Sequence, residues 1–580
     1  MFSILNKSSV KISKNNLGLY ISIVVIVLIF LPGLYDAISK AWTGDDAFIS
    51  FRYAKNLVEG KGLVYNEGER VEGYTNFLWT IMIAGGMRLN FDPIKFTNVL
   101  GILCFVLTIL TFIYVSWRLF GAENPFGVFI PLTALGLLVH QDFKIFATGG
   151  LETSLFTFLV SIGFAGLIFS ENKYGYLVTG FILVLAMMTR PDGIIFYFLS
   201  LFFLILTSSK TPKRVLNFLT PLIIVFIPYF IFRLLYYHYP FPNTYYARSA
   251  YLSWWDQGLK YLILYFKAYY VLLLLPVLGI IAIIKNKDSF SKLTQFPLGF
   301  DRIQNSVFLS ILFSVVYSIY VIRVGGDFMF ARFFIPITPL LYFLMEAFAF
   351  RVLNKKYIIP FAAIICLATF FYSYPNEIKS LSSKIVDERY FYPQSRIEEA
   401  KEKGEILKRY LKDTNAQVII FGSQAMLAYY AEFPVVIEGE SGLTDEYIAH
   451  LPVKERTRPG HEKLAPMEYV FKRGVNFVFA FGLWNPPLPT DFRDIRFGEI
   501  RGGILVYNRD IMNKLKTYDE IKFVDFEKFL DNYIQEIPSA PRSYILTDYK
   551  FFKDYYFNHN SDPIRQNAFI SVLRSEENSK

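Results

Sequence analysis

Asp45 and Asp46 stand side by side just beyond the first apolar run, at the head of GDDAFISFRYAKNLVEGKGLVYNEGERVEGYTNFLWT, Gly44 to Thr80. Acidic residues at membrane depth are costly to place and mark sites. A carboxylate beside a substrate hydroxyl can take its proton, which is general-base chemistry. On a helix beginning here, Asp45, Ile49, Arg52 and Asn56 share one face by the i, i+4, i+7 spacing. That face is mostly polar in a hydrophobic neighbourhood, which favours Asp45 as the acid of a site, with Asp46 the close alternative. Thr43-Gly44-Asp45-Asp46 also matches a capping box, with Thr43 as N-cap and Asp46 at the third helical position. This second reading accounts for Asp46 better than for Asp45.

Further chemistry-bearing residues sit in short motifs distant in sequence. Glu152 follows Gly149-Gly150 in ATGGLETSL, where the glycines permit close backbone approach by a ligand. It also reads as an acid at a helix N-terminus. Arg190 and Asp192 flank Pro191 in TRPDG, either as site residues or as an interfacial ion pair. YPFPNTYYARS offers Asn243, Tyr245, Tyr246 and Arg248, and VGGDFMFARFF offers Asp327 and Arg332. Arginine suits phosphate because its planar fork is always charged and binds two oxygens, and Arg332, with Gly325, Gly326 and Asp327 just before it, is the stronger candidate. These motifs are the candidates for a donor phosphate and sugar, with Arg52 beside them. Tyr74, Asn76 and His461 are acceptor-side candidates. Asp45 and Glu152 could also bridge a divalent metal, though nothing in the sequence requires a cofactor.

The elements that must position these residues are membrane helices. The chain has 580 residues, 53% hydrophobic and 18% aromatic, with mean hydropathy +0.35. A bilayer core takes about 20 apolar residues per helix. Runs near 17–38, 96–119, 125–140, 151–170, 174–188, 194–206, 215–236, 262–284, 307–322, 333–350 and 357–372 predict about eleven spans. Phe77 to Met87 reads as a re-entrant or surface helix in a first outer loop over about 39–95. The first run exceeds a signal-peptide core, so it is read as a retained helix. Lys7, Lys11 and Lys14 place the N-terminus in the cytoplasm, and Arg118, Lys173, Lys210 to Arg214, Lys285, Lys287, Arg351, Lys355 and Lys356 then also fall inside. The acid pair and the four other motifs fall together on the outer face. The net charge of +10 fits cytoplasmic loops and anionic lipid and argues against nucleic acid. Cys104 and Cys366 lie in apolar runs, which excludes a disulfide framework.

Residues 1–373 therefore read as a transmembrane domain and 374–580 as an extracytoplasmic α/β domain. In the latter, Ser395 to Leu411 predicts an amphipathic helix. Val418 to Phe421, Pro434 to Ile437, Val475 to Phe481 and Ile504 to Tyr507 predict strands.

The string from Asp45 to Thr80 closely resembles the first outer loop of a GT-C membrane glycosyltransferase family that includes the mycobacterial terminal β-(1→2)-arabinofuranosyltransferase. GGLETSLF, TRPDG, PFPNTYYAR and GGDFMFARFFIPITP resemble its later motifs in the same order. GLTDEYIAHLP (Gly442 to Pro452) and RPGHEK (Arg458 to Lys463) are similar to motifs of its tail. IEGES, Ile437 to Ser441, departs from the more apolar segment expected there. The resemblance implies a multi-span GT-C fold in a bacterial cytoplasmic membrane and a polyprenyl-phosphate sugar donor, with arabinofuranose as the candidate sugar. It implies inverting transfer to a cell-envelope glycan or glycolipid on the outer face, with Asp45 or Asp46 as base and Glu152 as a second acid. Protein or lipid A is the alternative acceptor. A transporter or flippase is the rival from another class, but the charged motifs crowd one face and no inverted repeat is evident. A receptor-like or assembly role for the outer domain leaves the Asp45 loop unexplained.

Overall fold

The computed structural model describes residues 16–121, 127–207, 211–285, 298, 300–372, 374–380, 384–453, 456–483, 486–537 and 541–575. Lys7, Lys11, Lys14, Lys210 and Lys287 of the charge argument lie outside these residues, as does the start of the run near 125–140.

Among the described residues, five helices are long and apolar enough to cross a bilayer: Gly18–Ser39, Pro93–Leu119, Pro212–Tyr237, Arg302–Val324 and Ile335–Val352. The first four carry exposed apolar side chains such as Leu28, Leu31, Val99, Leu103, Ile224, Leu235, Val315 and Ile319, whereas Ile335–Val352 is mostly buried. Apolar side chains turned outward along such helices make a lipid-facing surface, and the chain is a multi-pass membrane protein.

The remaining apolar runs take other forms. Trp255–Ala268 and Tyr270–Lys285 form one pair bent by 102°. Thr153–Phe169, Lys173–Thr189 and Gly193–Thr207 are shorter apolar helices. The runs near 125–140 and 357–372 come out as Leu132–Val139, of 8 residues, and Ile358–Phe370, of 13. Leu132–Val139 is buried over most of its length, so its apolarity serves the bundle interior and not lipid contact. The eleven expected spans are thus five long helices, one bent pair, three shorter helices and two short segments.

Between the first two spans lie two loop helices, Asp45–Val58 and Phe77–Arg88. Past Phe370 the chain becomes mixed α/β. Gln394–Leu411 forms the expected amphipathic helix, with Ile397, Ala400, Leu407 and Leu411 inward. Six strands follow: β1 Gln417–Ile420, β2 Val435–Glu438, β3 Phe477–Phe479, β4 Asp494–Phe497, β5 Ile500–Ile504 and β6 Ile521–Phe523. They form one sheet in the order β2-β1-β3-β5-β4-β6. β1 runs parallel to both β2 and β3, and the other pairs are antiparallel. The strand expected over 504–507 lies earlier, at Ile500–Ile504, because it closes a hairpin with β4 through Gly498 at φ 60°. β4 and β6 are too short and too charged to stand out in the sequence.

The sheet domain is bound to the first loop by side chains that reach its backbone. Asn66 donates to the Val436 carbonyl at 2.9 Å and accepts from the Val436 N–H at 2.9 Å. Segment 384–388 returns to the bundle, where the Val386 N–H donates to the Phe328 carbonyl at 2.7 Å.

Candidate active site

Helix Asp45–Val58 starts one residue later than a capping box requires. Gly44 is the N-cap, no side chain caps the helix, and Asp46 occupies the second helical position. The capping-box reading is therefore set aside. Asp45 caps a different helix: its Oδ2 accepts from the Ala425 N–H at 3.0 Å and its Oδ1 from the Met426 N–H at 2.9 Å. These amides open helix Ala425–Ala431, which follows β1. Two turns beyond Asp45, Arg52 donates through Nη1 to the Ala428 carbonyl at 3.0 Å and through Nη2 to the Phe433 carbonyl at 2.6 Å. Its Nε donates to the Tyr65 carbonyl at 2.8 Å.

Seven residues of helix rise about 10.5 Å, which matches the seven-residue helix that Asp45 and Arg52 bracket. The acid meets its amide end and the base its carbonyl end, as the helix dipole favours. Arg52 is thereby removed from the donor-binding set, because each of its nitrogens already donates to a buried carbonyl. Asn56, next on the same face, donates to the Val64 and Tyr65 carbonyls at 2.9 Å each. The polar stripe is a docking seam between loop and sheet domain.

Asp46 has no hydrogen-bond partner among the described residues and is half-buried. Burial raises its pKa above the ordinary carboxylate value, and Arg248 and then Arg332 pull it back. Burial also raises Asp45, to about 7, against its two backbone hydrogen bonds. Glu152 is the reverse case. Burial alone would raise it, but Arg332 and Arg190 bring it below the usual value. Its Oε1 accepts from Arg332 Nη2 at 3.1 Å and its Oε2 from Asn76 Nδ2 at 3.0 Å.

Gly149 and Gly150 sit at φ 98° and 75°, and a Cβ on Gly150 would lie 2.6 Å from Ala47 Cβ. The glycines admit the chain's own acid-pair loop and not a ligand. Their backbones pair, with the Gly44 N–H donating to the Gly149 carbonyl at 3.1 Å.

Arg332 is a cross-link. Besides Glu152, it donates through Nη1 to Asp327 Oδ2 at 3.4 Å, and its Nε is buried without a partner. Arg248 lies 3.6 Å from the fully buried Asp327 and keeps 31% of its side chain exposed. Of these two arginines, Arg248 is the one that lines the cleft. Arg190 binds Asp192 through Nε at 3.0 Å and Nη2 at 2.7 Å, with its guanidinium 5.0 Å from the Phe156 ring and 4.9 Å from the Phe333 ring. It forms a buried ion pair and does not line the acid cleft.

Other expected site residues serve packing. Asn243 Nδ2 donates to the Gly442 and Leu443 carbonyls at 2.8 and 2.9 Å. Tyr245 stacks on Phe241, with 4.4 Å between centroids, and Tyr246 lies 4.2 Å from His450. The Tyr74 hydroxyl meets that of Tyr237 at 3.2 Å. Asn76 orients Glu152 and accepts from Ser50 and Thr80. These positions remove Asn243, Tyr74 and Asn76 from direct ligand contact, because their polar atoms are engaged and buried. His461 does line the cleft, its ring edge-on to Phe328 at 5.1 Å. Burial and Arg458 hold it neutral, with its pKa down to about 3.

The sequence reading passed over four residues that surround the acid pair. Arg458 donates to Glu388 at 3.2 Å and lies 4.9 Å from the Phe328 ring, which Arg248 approaches at 5.8 Å. Burial and Asp46 raise Glu388 to about 8. Tyr65 and Glu438 line the cleft. Arg458 stood inside RPGHEK, the signal that could have found it.

A divalent cation bridging Asp45 and Glu152 does not fit these residues. Each carboxylate oxygen already accepts from an N–H donor, and no His, Cys, Asp or Glu cluster with metal-binding spacing occurs among the described residues.

The result is a narrow cleft between loop and sheet domain, with Asp46, Arg248, Phe328, Tyr65, Glu438 and His461 on its walls. No family model matches the chain. Its sequence is 28% identical over 351 residues to the terminal beta-(1->2)-arabinofuranosyltransferase of Mycobacterium tuberculosis, covering 54% of this chain and 53% of that protein. It is 28% identical over 318 residues to the protein of the same name from Corynebacterium glutamicum, covering 51% and 46%. The chain thus matches about half the length of these curated relatives. Among solved structures, ArnT from Cupriavidus metallidurans in the apo state aligns with TM-score 0.49 at 10% identity, over 84% of this chain and 98% of that one. The Archaeoglobus fulgidus oligosaccharyltransferase in the apo form aligns with TM-score 0.47 at 12% identity, over 79% and 69%. In sequence, the chain is similar over about half its length to terminal arabinofuranosyltransferases.

Proposed function

We propose that the chain is an inverting membrane glycosyltransferase of the GT-C type. It moves a sugar, with arabinofuranose the leading candidate, from a polyprenyl phosphate to a cell-envelope glycan on the outer face of a bacterial cytoplasmic membrane. The observation that carries the reading is the Asp46 carboxylate, free of hydrogen-bond partners among the described residues and facing a cleft walled by Arg248. The sequence similarity to arabinofuranosyltransferases supports the same class.

In this reading Asp46, and not Asp45, is the base. It takes the acceptor hydroxyl proton as that oxygen attacks the sugar C1. The bond from C1 to the phosphate oxygen breaks through an oxocarbenium-like transition state. The leaving phosphate carries off the bonding electrons, and Arg248 with Arg458 stabilises its growing charge. A sugar on phosphate already has a good leaving group, so no general acid is required. Asp45 is a positioning residue that fixes helix Ala425–Ala431 against the catalytic loop. The apolar helices offer the prenyl chain a hydrocarbon environment.

The test is transfer by the purified chain from a panel of polyprenyl-phosphate sugars, run with both acid variants. Asp46→Asn should abolish transfer and leave Tm unchanged. Asp45→Asn turns an N–H toward a backbone N–H and should cost about 1–2 kcal/mol of stability, with partial activity retained. Full activity in Asp46→Asn would overturn the assignment, and transfer by the wild type from no donor would overturn the class.

A further inference from the structure

β1 lies between β2 and β3, parallel to both. The chain leaves β1 to one side for β2 and crosses to the other for β3, so β1 is a topological switch point. In open α/β sheets, ligands bind in the crevice outside the carboxyl ends of strands at such a point. Here Ile420 and Glu438, which end β1 and β2, are paired neighbours. The segments that follow them, Phe421 to Ala425 and onward from Glu438 to Thr444, form one wall of the acid cleft.

Two further observations point to a ligand. Tyr65 is 2% exposed, its ring sits 4.8 Å from the Arg52 guanidinium, and its hydroxyl has no hydrogen-bond partner among the described residues. Tyr65 lines the cleft, within electrostatic reach of Asp45 and Glu438. Ser423, on the loop after β1, is held at φ 59°, a left-handed conformation that non-glycine residues adopt at a cost. Its hydroxyl meets that of Tyr392 at 3.0 Å.

We infer that the crevice is the acceptor subsite of the proposed transferase, taking a neutral, polyhydroxylated sugar whose hydroxyls bond the Tyr65 hydroxyl and the Glu438 carboxylate. This rests on the glycosyl-transfer reading and adds to it which side of the cleft the acceptor occupies. Asp45 and Glu438 make the surroundings of Tyr65 acidic, which repels a phosphate, while Arg248 and Arg458 gather at the Phe328 ring. A sugar hydroxyl both donates and accepts, so one ring can serve a phenol and a carboxylate together. Glu438 Oε1 accepts only the Glu440 N–H, at 3.1 Å, among the described residues and keeps acceptor capacity. The acceptor hydroxyl next to these contacts gives its proton to Asp46, its oxygen bonds C1, and the phosphate departs with the electron pair.

The experiment is calorimetric titration of the full chain in nanodiscs with octyl glycosides of an arabinofuranosyl and a mannosyl disaccharide. Tyr65→Phe keeps the ring and should weaken binding of one of them about tenfold, with donor KM unchanged. Glu438→Gln, checked for an unchanged Tm, should do the same. Equal Kd for wild type and Tyr65→Phe, or no binding of either glycoside by wild type, would overturn the subsite. Normal transfer with a Kd independent of Tyr65 removes the subsite and leaves the transferase. Tyr65-dependent binding without transfer from any donor removes the transferase and leaves a sugar site.

Discussion

Asp45 and Asp46 are covalent neighbours with opposite surroundings. One helical step turns Asp45 into the sheet domain, where two amides take its oxygens, and leaves Asp46 at the cleft. The acid pair was legible in the sequence, but its division of labour was not. The amides that engage Asp45 lie 380 and 381 residues away, and backbone donors leave no mark in a motif. The sequence favoured Arg332 over Arg248 for phosphate, but Glu152 and Asp327 claim Arg332, contacts that its neighbours in sequence do not reveal. The Asp46 assignment has a pH signature. Burial raises its pKa and Arg248 is the charge that does most to lower it. Arg248→Gln removes that lowering, so the carboxylate forms only at higher pH. The acid limb of the kcat/KM profile should move to higher pH, beside a lower maximum. A limb that stays put or moves to lower pH would show that Asp46 is not the ionising group.

Helix Ala425–Ala431 is the element on which loop and sheet domain meet. Its seven residues are too few to be stable alone. Asp45, Arg52 and the Lys55–Glu432 ion pair hold it at both ends. Arg52→Ala would leave the Tyr65, Ala428 and Phe433 carbonyls without this donor, a loss on the order of 3 kcal/mol. The Tm should fall and limited proteolysis should cut between the bundle and residues 394–411 faster than in wild type. Unchanged Tm and cleavage rate would show that the clamp does not hold the domain. At this scale the sequence was read well where periodicity is long, as in Gln394–Leu411 and Pro93–Leu119. It was read poorly where apolar runs are short. Leu132–Val139 is as apolar as a membrane span but is covered by protein, and periodicity alone does not separate those environments.

At the scale of the whole molecule, Asp45, Glu152, Arg248, Asp327 and Arg332 gather beside the sheet domain. With the basic loop residues Arg118, Lys173, Arg351 and Lys356 inside, the positive-inside rule predicts that this cluster is extracytoplasmic. The exposed position of Lys401 in Gln394–Leu411 allows a direct check. Lys401→Cys should react with a membrane-impermeant maleimide in intact spheroplasts. Cys104 and Cys366 lie within apolar helices and should contribute little background. Labelling seen only after lysis would invert the topology.

Many of the hydrogen bonds that hold the sheet domain to the first loop and to Asn243 fall on its main-chain atoms, the amides of Ala425, Met426 and Val436 and the carbonyls of Ala428, Phe433, Val436, Gly442 and Leu443, beside the Lys55–Glu432 and Glu69–Arg473 ion pairs. Main-chain groups are common to every residue type, apart from the amide that proline lacks. Substitutions at these tail positions, proline at 425, 426 and 436 excepted, leave the contacts in place. Substitutions of Asp45, Arg52, Asn66 or Asn243 do not. At these positions the freedom to vary is therefore one-sided: they can drift in sequence while Asp45, Arg52, Asn66 and Asn243 stay fixed, whereas Glu432 and Arg473 are held through their own side chains.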